Sequence, residues 1–201
     1  MKLLLRNMKE YVSLKEEAIL KEQCLARRDK EVKRLLDSIY LDEDRERSFM
    51  RFFNSEEFKV ILGEVDRHAG FDRDISICEV GAGSGFLSVA LAKSGFRNVT
   101  MLEPNERWNS GTGFISSRAS SMNVRICNNI DKWYNEDTQY NMIITNNCVH
   151  HFDNICKVAA EIRCKIKPGG KWLMFDDALA NDTETLYTNI KIHPYVEKYG
   201  L

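Results

Sequence analysis

Residues 76–91 read SICEVGAGSGFLSVAL, and this stretch limits the possible folds more than any other. Ser76 to Val80 is a short apolar run of the kind that forms a buried parallel strand. Gly81-Ala82-Gly83-Ser84-Gly85 follows without a spacer. Phe86 to Leu91 then carries helix formers, with apolar residues at i, i+3 and i+4. A strand, a glycine turn and a helix in that order build a cradle for a nucleotide or cofactor. Glycine lets the backbone come close to a ligand, and the first helical turn presents N–H groups that have no partner within the helix.

The spacing separates two families. G-x-G-x-x-G aims a helix end at a pyrophosphate. Here the pattern is G-x-G-x-G, with an acid, Glu79, two residues before Gly81. This form resembles motif I of the class I S-adenosylmethionine-dependent methyltransferases. S-adenosylmethionine carries a cationic sulfonium and an amino-acid tail in place of a phosphate, so an acid beside the turn suits it where it would repel a pyrophosphate. On its own the motif also admits an ordinary glycine turn in an unrelated α/β protein. A nicotinamide-dependent oxidoreductase is disfavoured by the glycine spacing.

The following segments extend the resemblance. Arg97 to Asn105 forms a second short strand ending in an acid, Glu103, which lies 18 residues after Gly85. In this fold a carboxylate at the tip of the second strand accepts hydrogen bonds from the ribose hydroxyls. Asn123 to Ile130 reads as a third strand, and Tyr140 to Phe152 as a fourth strand with its exit loop. Ile166 to Asp177 reads as a turn followed by a fifth strand. The KPGG turn at 167–170 and the His150-His151-Phe152 run resemble the small-molecule branch of the family, and the likeness covers roughly residues 55–180. It implies cofactor contacts from Glu79, Gly81, Ala82, Gly83, Gly85, Glu103, Pro104, Asn129, Ile130, Thr145 and Asn146. Where many members of the family carry Asp after the third strand, this chain has Asn129, whose carbonyl can accept the same hydrogen bond. The aromatic-Asp pair that usually opens strand four is Tyr140-Asn141 here.

The implied fold is α/β: a Rossmann-like, doubly wound, mostly parallel sheet with right-handed crossovers and helices on both faces. Residues 1–54 are expected to form an amphipathic helical extension, and 55–201 the S-adenosylmethionine-binding domain. Residues 1–50 hold 23 charged residues and no glycine or proline. Apolar positions there, among them Met8, Val12, Leu25, Val32 and Leu36, recur near helical spacing. Packing on the core is the first expectation, and a lid or dimerisation arm the second. Phe49, Phe52, Phe53 and Phe58 are expected to bury rather than to stack on a substrate. Ser55 is the expected N-cap of a helix to about His68. Asn105 to Ser121 reads as a weak helix. After Asp177 only 24 residues follow, too few for the sixth and seventh strands with their crossover. Either this is a shortened piece or the sheet ends at strand five. The bare edge would then be covered by the N-terminal helices or by a second copy, and a homodimer is the expectation.

Composition excludes some partners. With 29 basic and 30 acidic residues, the net charge is −1, which makes no electrostatic case for nucleic acid or an anionic membrane. The N-P-P-Y type motif expected for amino-base methylation is absent; Asn146-Asn147-Cys148-Val149 stands in its place. No window approaches the 18 apolar residues of a membrane span. Met1 to Arg6 is too short for a secretory leader. The six cysteines, Cys24, Cys78, Cys127, Cys148, Cys156 and Cys164, form no C-x-x-C pair and are read as buried free thiols in a reducing cytoplasm.

The implied chemistry is in-line transfer of the sulfonium methyl to an oxygen or nitrogen of a small molecule. The candidate bases are His150 and His151, which follow strand four, where the acceptor approaches; the competing reading has one of them capping or packing on the next helix. Asp176 and Asp177 are rival candidates. No metal site is expected, because strand four ends in Thr145 and Asn146 and lacks a carboxylate for a hard cation. The alternative function is an interaction protein that keeps the cofactor fold but needs a partner to complete its substrate site.

Overall fold

The computed structural model describes residues 43–108, 110–117, 123–149, 152 and 154–175, together with 28, 30, 33 and 34. His150, His151, Asp176, Asp177, Cys24 and the apolar stripe expected between Met8 and Leu36 lie outside the described residues.

In chain order the elements are α1 (Arg45–Phe53), α2 (Glu56–Ala69), β1 (Ser76–Val80), α3 (Phe86–Lys93), β2 (Asn98–Leu102), α4 (Gly113–Ser116), β3 (Val124–Cys127), α5 (Ile130–Asn135), β4 (Tyr140–Asn146), α6 (Ile155–Lys165) and β5 (Ile166–Phe175). The strands form one sheet in the order β3-β2-β1-β4-β5, and every neighbouring pair is parallel. The chain therefore moves outward from β1 through β2 to β3, then returns to the other side of β1 as β4. That reversal opens a crevice at the carboxyl ends of β1 and β4, the place where open α/β sheets bind ligands.

Strand periodicity assigns the two faces. Ile77, Val99, Met101, Met142 and Ile144 join one apolar cluster with residues of α1, α2, α3 and α4. Their neighbours Cys78, Val80, Leu102 and Ile143 join a second cluster with Trp133 of α5 and Ile162 of α6. The alternation is the period of two that a strand imposes. Both faces are covered, so β1 and β4 read as nearly continuous apolar runs.

The helix ends follow their local chemistry. The Ser55 hydroxyl accepts the Phe58 N–H at 3.1 Å, and Gly70 closes α2 in the left-handed conformation at φ 60. Phe49 and Phe52 of α1 are buried and belong to the core cluster. Both rings pack on Phe86 at the start of α3, at centroid distances of 5.7 and 6.3 Å. Phe49, Phe52 and Phe58 thus bury as expected, Phe53 is partly buried against the same cluster, and α1 is part of the core although it falls within the segment read as an extension.

Three expectations are corrected. Within 105–121 the described helix is α4 alone, Gly113–Ser116. The backbone around Gly111 and Gly113 runs so close to Asn105 and Glu106 that a side chain at either glycine would collide with it. The KPGG segment lies within β5 as an irregularity: Tyr140 pairs with Ile166, Met142 pairs with Lys171, and the residues between them bulge out. Finally, Cys156 and Cys164 are exposed, whereas Cys78, Cys127 and Cys148 are buried free thiols.

Candidate cofactor site

The site is built where β1, β2 and β4 end. Gly81 and Ala82 continue β1 by donating their N–H groups to the Leu102 carbonyl at 2.9 and 3.2 Å. Gly81, Gly83 and Gly85 take φ values of 72, 52 and 70, which glycine adopts at little cost. Their reasons for being glycine differ. A Cβ on Gly81 would meet Cys148 Cβ and Sγ at 2.9 Å, and one on Gly85 would meet the Met101 thioether at 2.8–2.9 Å. At Gly83 the nearest atom is the Ser110 carbonyl oxygen at 3.8 Å. Gly81 and Gly85 are therefore packing positions, and Gly83 is the turn residue that leaves space beside the backbone.

Glu103 projects from the tip of β2. One carboxylate oxygen accepts the Gly83 N–H at 2.7 Å and the other accepts the Asn105 N–H at 2.8 Å. Burial raises its pKa, and the two amide donors oppose that shift. A carboxylate offers about four acceptor positions. With two filled by backbone N–H groups, the carboxylate is held in a fixed orientation and keeps acceptor capacity for a vicinal diol.

Glu79 is buried and faces the α3 side of the sheet, as its parity with Ile77 requires. One of its oxygens accepts both the backbone N–H of Ser88, at 2.9 Å, and the Ser88 hydroxyl. The acid thus anchors the first turn of α3. Burial pushes its pKa up to about 7, against the pull of the Ser88 bonds.

The remaining expected contacts are placed as follows. Pro104 is exposed beside Glu103. Asn129 is the N-cap of α5, and its side-chain oxygen accepts the Lys132 N–H at 2.8 Å. Ile130 follows it and is one of the exposed large apolar residues, at 37%. Asn128, one residue earlier, donates to Glu106 Oε1 at 2.5 Å and ties the β3 exit to the loop after β2. Thr145 is fully buried, and its hydroxyl accepts the Trp172 indole N–H at 3.1 Å, so its side chain serves the β4–β5 contact. Asn146 is half-buried at the strand end.

Three residues at the glycine turn were not singled out as site residues from the sequence. Cys148 donates its thiol to the Val80 carbonyl at 3.1 Å and abuts Gly81. Ser88 is a hydroxyl inside an apolar helical run, one helical turn past the glycines, and that position was its signal. Arg45 of α1 is buried and donates to Ser84 Oγ within the glycine turn at 2.6 Å. Nothing marked it out within a run of charges. Among the described residues no group of three or more His, Cys, Asp or Glu side chains is placed to hold a metal ion.

Comparison with known proteins agrees with this geometry. Residues 53–197 match the methyltransferase domain family, and the chain belongs to that family. The ubiquinone biosynthesis O-methyltransferase of Rickettsia bellii, in two strains, is 23% identical over 129 residues, covering 64% of this chain and 53% of the relative. The chain thus spans about half the length of the curated relatives it matches. A putative S-adenosyl-L-methionine-dependent methyltransferase of Methanococcus maripaludis superposes with a TM-score of 0.51 at 16% identity, covering 76% of this chain and 74% of the other. YcgJ of Bacillus subtilis gives 0.53 at 17% identity, covering 64% and 55%. The fold is that of the class I S-adenosylmethionine-dependent methyltransferases, whose cofactor is S-adenosylmethionine. The residues present fit that cofactor: the space at Gly83 admits a ligand against the backbone, and the oriented Glu103 carboxylate suits a ribose diol.

Proposed function

We propose that this chain transfers a methyl group from S-adenosylmethionine to an oxygen or nitrogen of a small molecule. The observation that carries the reading is the Glu103 carboxylate, locked by the N–H groups of Gly83 and Asn105 beside the open backbone of the glycine turn. Glu103 binds the ribose hydroxyls, and Gly83 admits the cofactor against the chain. Pro104 and Ile130 flank the adenine, with Asn129 at its edge. When bound, the cofactor supplies a methyl group activated by a thioether leaving group. The protein has to align the acceptor and accept its proton. We assign the proton to His150 or His151, which follow β4 in the sequence, imidazole being the side chain suited to proton transfer near neutral pH. The name of the Rickettsia relative, an O-methyltransferase, supports oxygen as the acceptor atom. Among the described residues no helix is long and apolar enough to cross a membrane.

Calorimetric titration tests the reading. S-adenosylhomocysteine should bind with a one-to-one stoichiometry and NAD should give no heat. The reverse pattern would overturn it.

A further inference from the structure

We infer that the cleft at the amino ends of β3, β2, β1 and β4 is a second ligand site, and that it takes a small-molecule anion, a carboxylate or a phosphate, on Thr100, Arg125 and Tyr140. It lies at the opposite edge of the sheet from the cofactor crevice, and it stands apart from the methyltransferase reading.

Strand register builds the floor. Cys78 pairs with Thr100, and Thr100 pairs with Arg125. Both residues therefore lie on the sheet face that carries Cys78, Leu102 and Cys127. That face changes character along each strand. It runs from Leu102 back to Thr100 and Asn98 in β2, and from Cys127 back to Arg125 in β3. Trp133 of α5 packs on the apolar ends. The helix has six residues, which make only about 9 Å of cover, and the polar amino ends lie beyond it. They leave a cleft of about 560 Å³ whose lining includes Ser76, Asn98, Thr100, Arg125, Thr138 and Tyr140. Small-molecule sites span roughly 300–1,000 Å³.

Donors gather on one side of this space. Thr100 and Tyr140 are 5% and 2% exposed. The Tyr140 hydroxyl is buried with no hydrogen-bond partner, and Thr100 and Arg125, which both line the cleft, stand near it. A buried polar group without a partner is uncommon and costs stability. Burial pushes the Tyr140 pKa up to about 12, so at neutral pH the group is an O–H donor. Glu136 accepts from one nitrogen of Arg125 at 2.5 Å and steadies a guanidinium that carries five donors. Asp74 holds Arg97 at the rim in the same way, at 2.6 and 2.7 Å. Lys167 adds a cation at the Ser76 edge, where it donates to the neutral Ser76 Oγ and Asn141 Oδ1 at 3.1 and 3.0 Å. Among the described lining residues there is no carboxylate. Hydroxyl and guanidinium donors around one space suit an anionic oxygen.

The test titrates the intact chain, by calorimetry, with inorganic phosphate and with malonate, against sodium chloride at equal ionic strength. At least one of the two probes should give saturable heat that chloride does not. Phosphate alone assigns the cleft to phosphate esters, malonate alone to carboxylates, and both to either class. Tyr140→Phe and Arg125→Gln should each weaken that binding about fivefold or more, the loss of a hydrogen bond to a charged group. Tyr140→Phe separates binding from folding: it removes a hydroxyl that has no partner in the protein, so its urea midpoint should stay the same or rise. Amide shift mapping on the wild type covers the case in which a variant does not fold. The bound probe should move the amides of Asn98, Thr100 and Arg125 and leave Gly81, Gly83 and Gly85 in place. No saturable heat from either probe would overturn the proposal. So would an unchanged affinity in either folded variant, or shifts that fall anywhere other than the cleft. None of these outcomes bears on the binding of S-adenosylhomocysteine, which is measured separately.

Discussion

The Glu103 carboxylate accepts the N–H of Gly83 at 2.7 Å, joining the tip of β2 to the middle of the glycine turn. The acid is therefore an integral part of the turn as well as the proposed ligand for the ribose. Glu103→Ala should weaken S-adenosylhomocysteine binding by about 1–3 kcal/mol and should also lower stability by roughly 1–2 kcal/mol, since two backbone donors lose their acceptor. Calorimetry and urea denaturation measure the two effects separately. A folded variant with unchanged affinity would remove Glu103 from the site.

The three glycines should divide by phenotype. Gly81→Ala and Gly85→Ala force a methyl into Cys148 and Met101 respectively, at 2.8–2.9 Å, and both should lower the melting temperature. At Gly83→Val the nearest atom to the added Cβ is the Ser110 carbonyl oxygen at 3.8 Å, so beyond the cost of a positive φ its effect is expected to fall on the ligand. It should abolish detectable S-adenosylhomocysteine binding while the chain stays folded. A Gly83→Val protein that binds normally would show that the open space serves another purpose.

Glu79 sets a pH dependence of stability. Its folded pKa is raised from 4.5 to about 7 by burial. Between those values the native state holds a proton that the unfolded chain has released. Stability is then greatest below about pH 4.5 as far as this group is concerned, and falls as pH rises to about 7, by on the order of 3 kcal/mol. Glu103, also raised, adds in the same direction. Glu79→Gln should flatten the dependence of the urea midpoint between pH 5 and 7. A variant that keeps the wild-type slope would place the responsible proton elsewhere.

The glycine turn and the acid of the candidate site were legible as a juxtaposition because they lie on neighbouring strand tips. The run from Ser76 to Gly85 sets β1 and its turn, and an acid at the end of the next strand lies beside that turn in any doubly wound sheet. The roles of the acids were less legible. A G-x-G-x-G pattern does not say that Glu79 is committed to Ser88; that requires the strand's parity and the position of the first turn of α3 together. The place of Arg45 could not be read because it depends on a contact between residues 39 positions apart, and in sequence it is one charge among many. The KPGG segment looked like a turn before a strand. The β4 register places it inside β5 instead, and register is a tertiary property.

The place of α1 in the molecule gives the last prediction. Phe52 is 3% exposed and packs on Phe58 and Phe86 at centroid distances of 5.6 and 6.3 Å. If α1 were an appendage, truncating this ring would cost little. As part of the core, Phe52→Ala should cost about 3–5 kcal/mol, the range for removing a buried aromatic side chain. Phe86 also carries Arg45 over its face and starts the helix behind the glycines, so the variant should lose cofactor affinity along with stability. The control is Val60→Ala on α2, where the side chain is 64% exposed; it should change stability by no more than about 0.5 kcal/mol. Urea denaturation followed by tryptophan fluorescence reads both variants. A Phe52→Ala protein as stable as the control would detach α1 from the core.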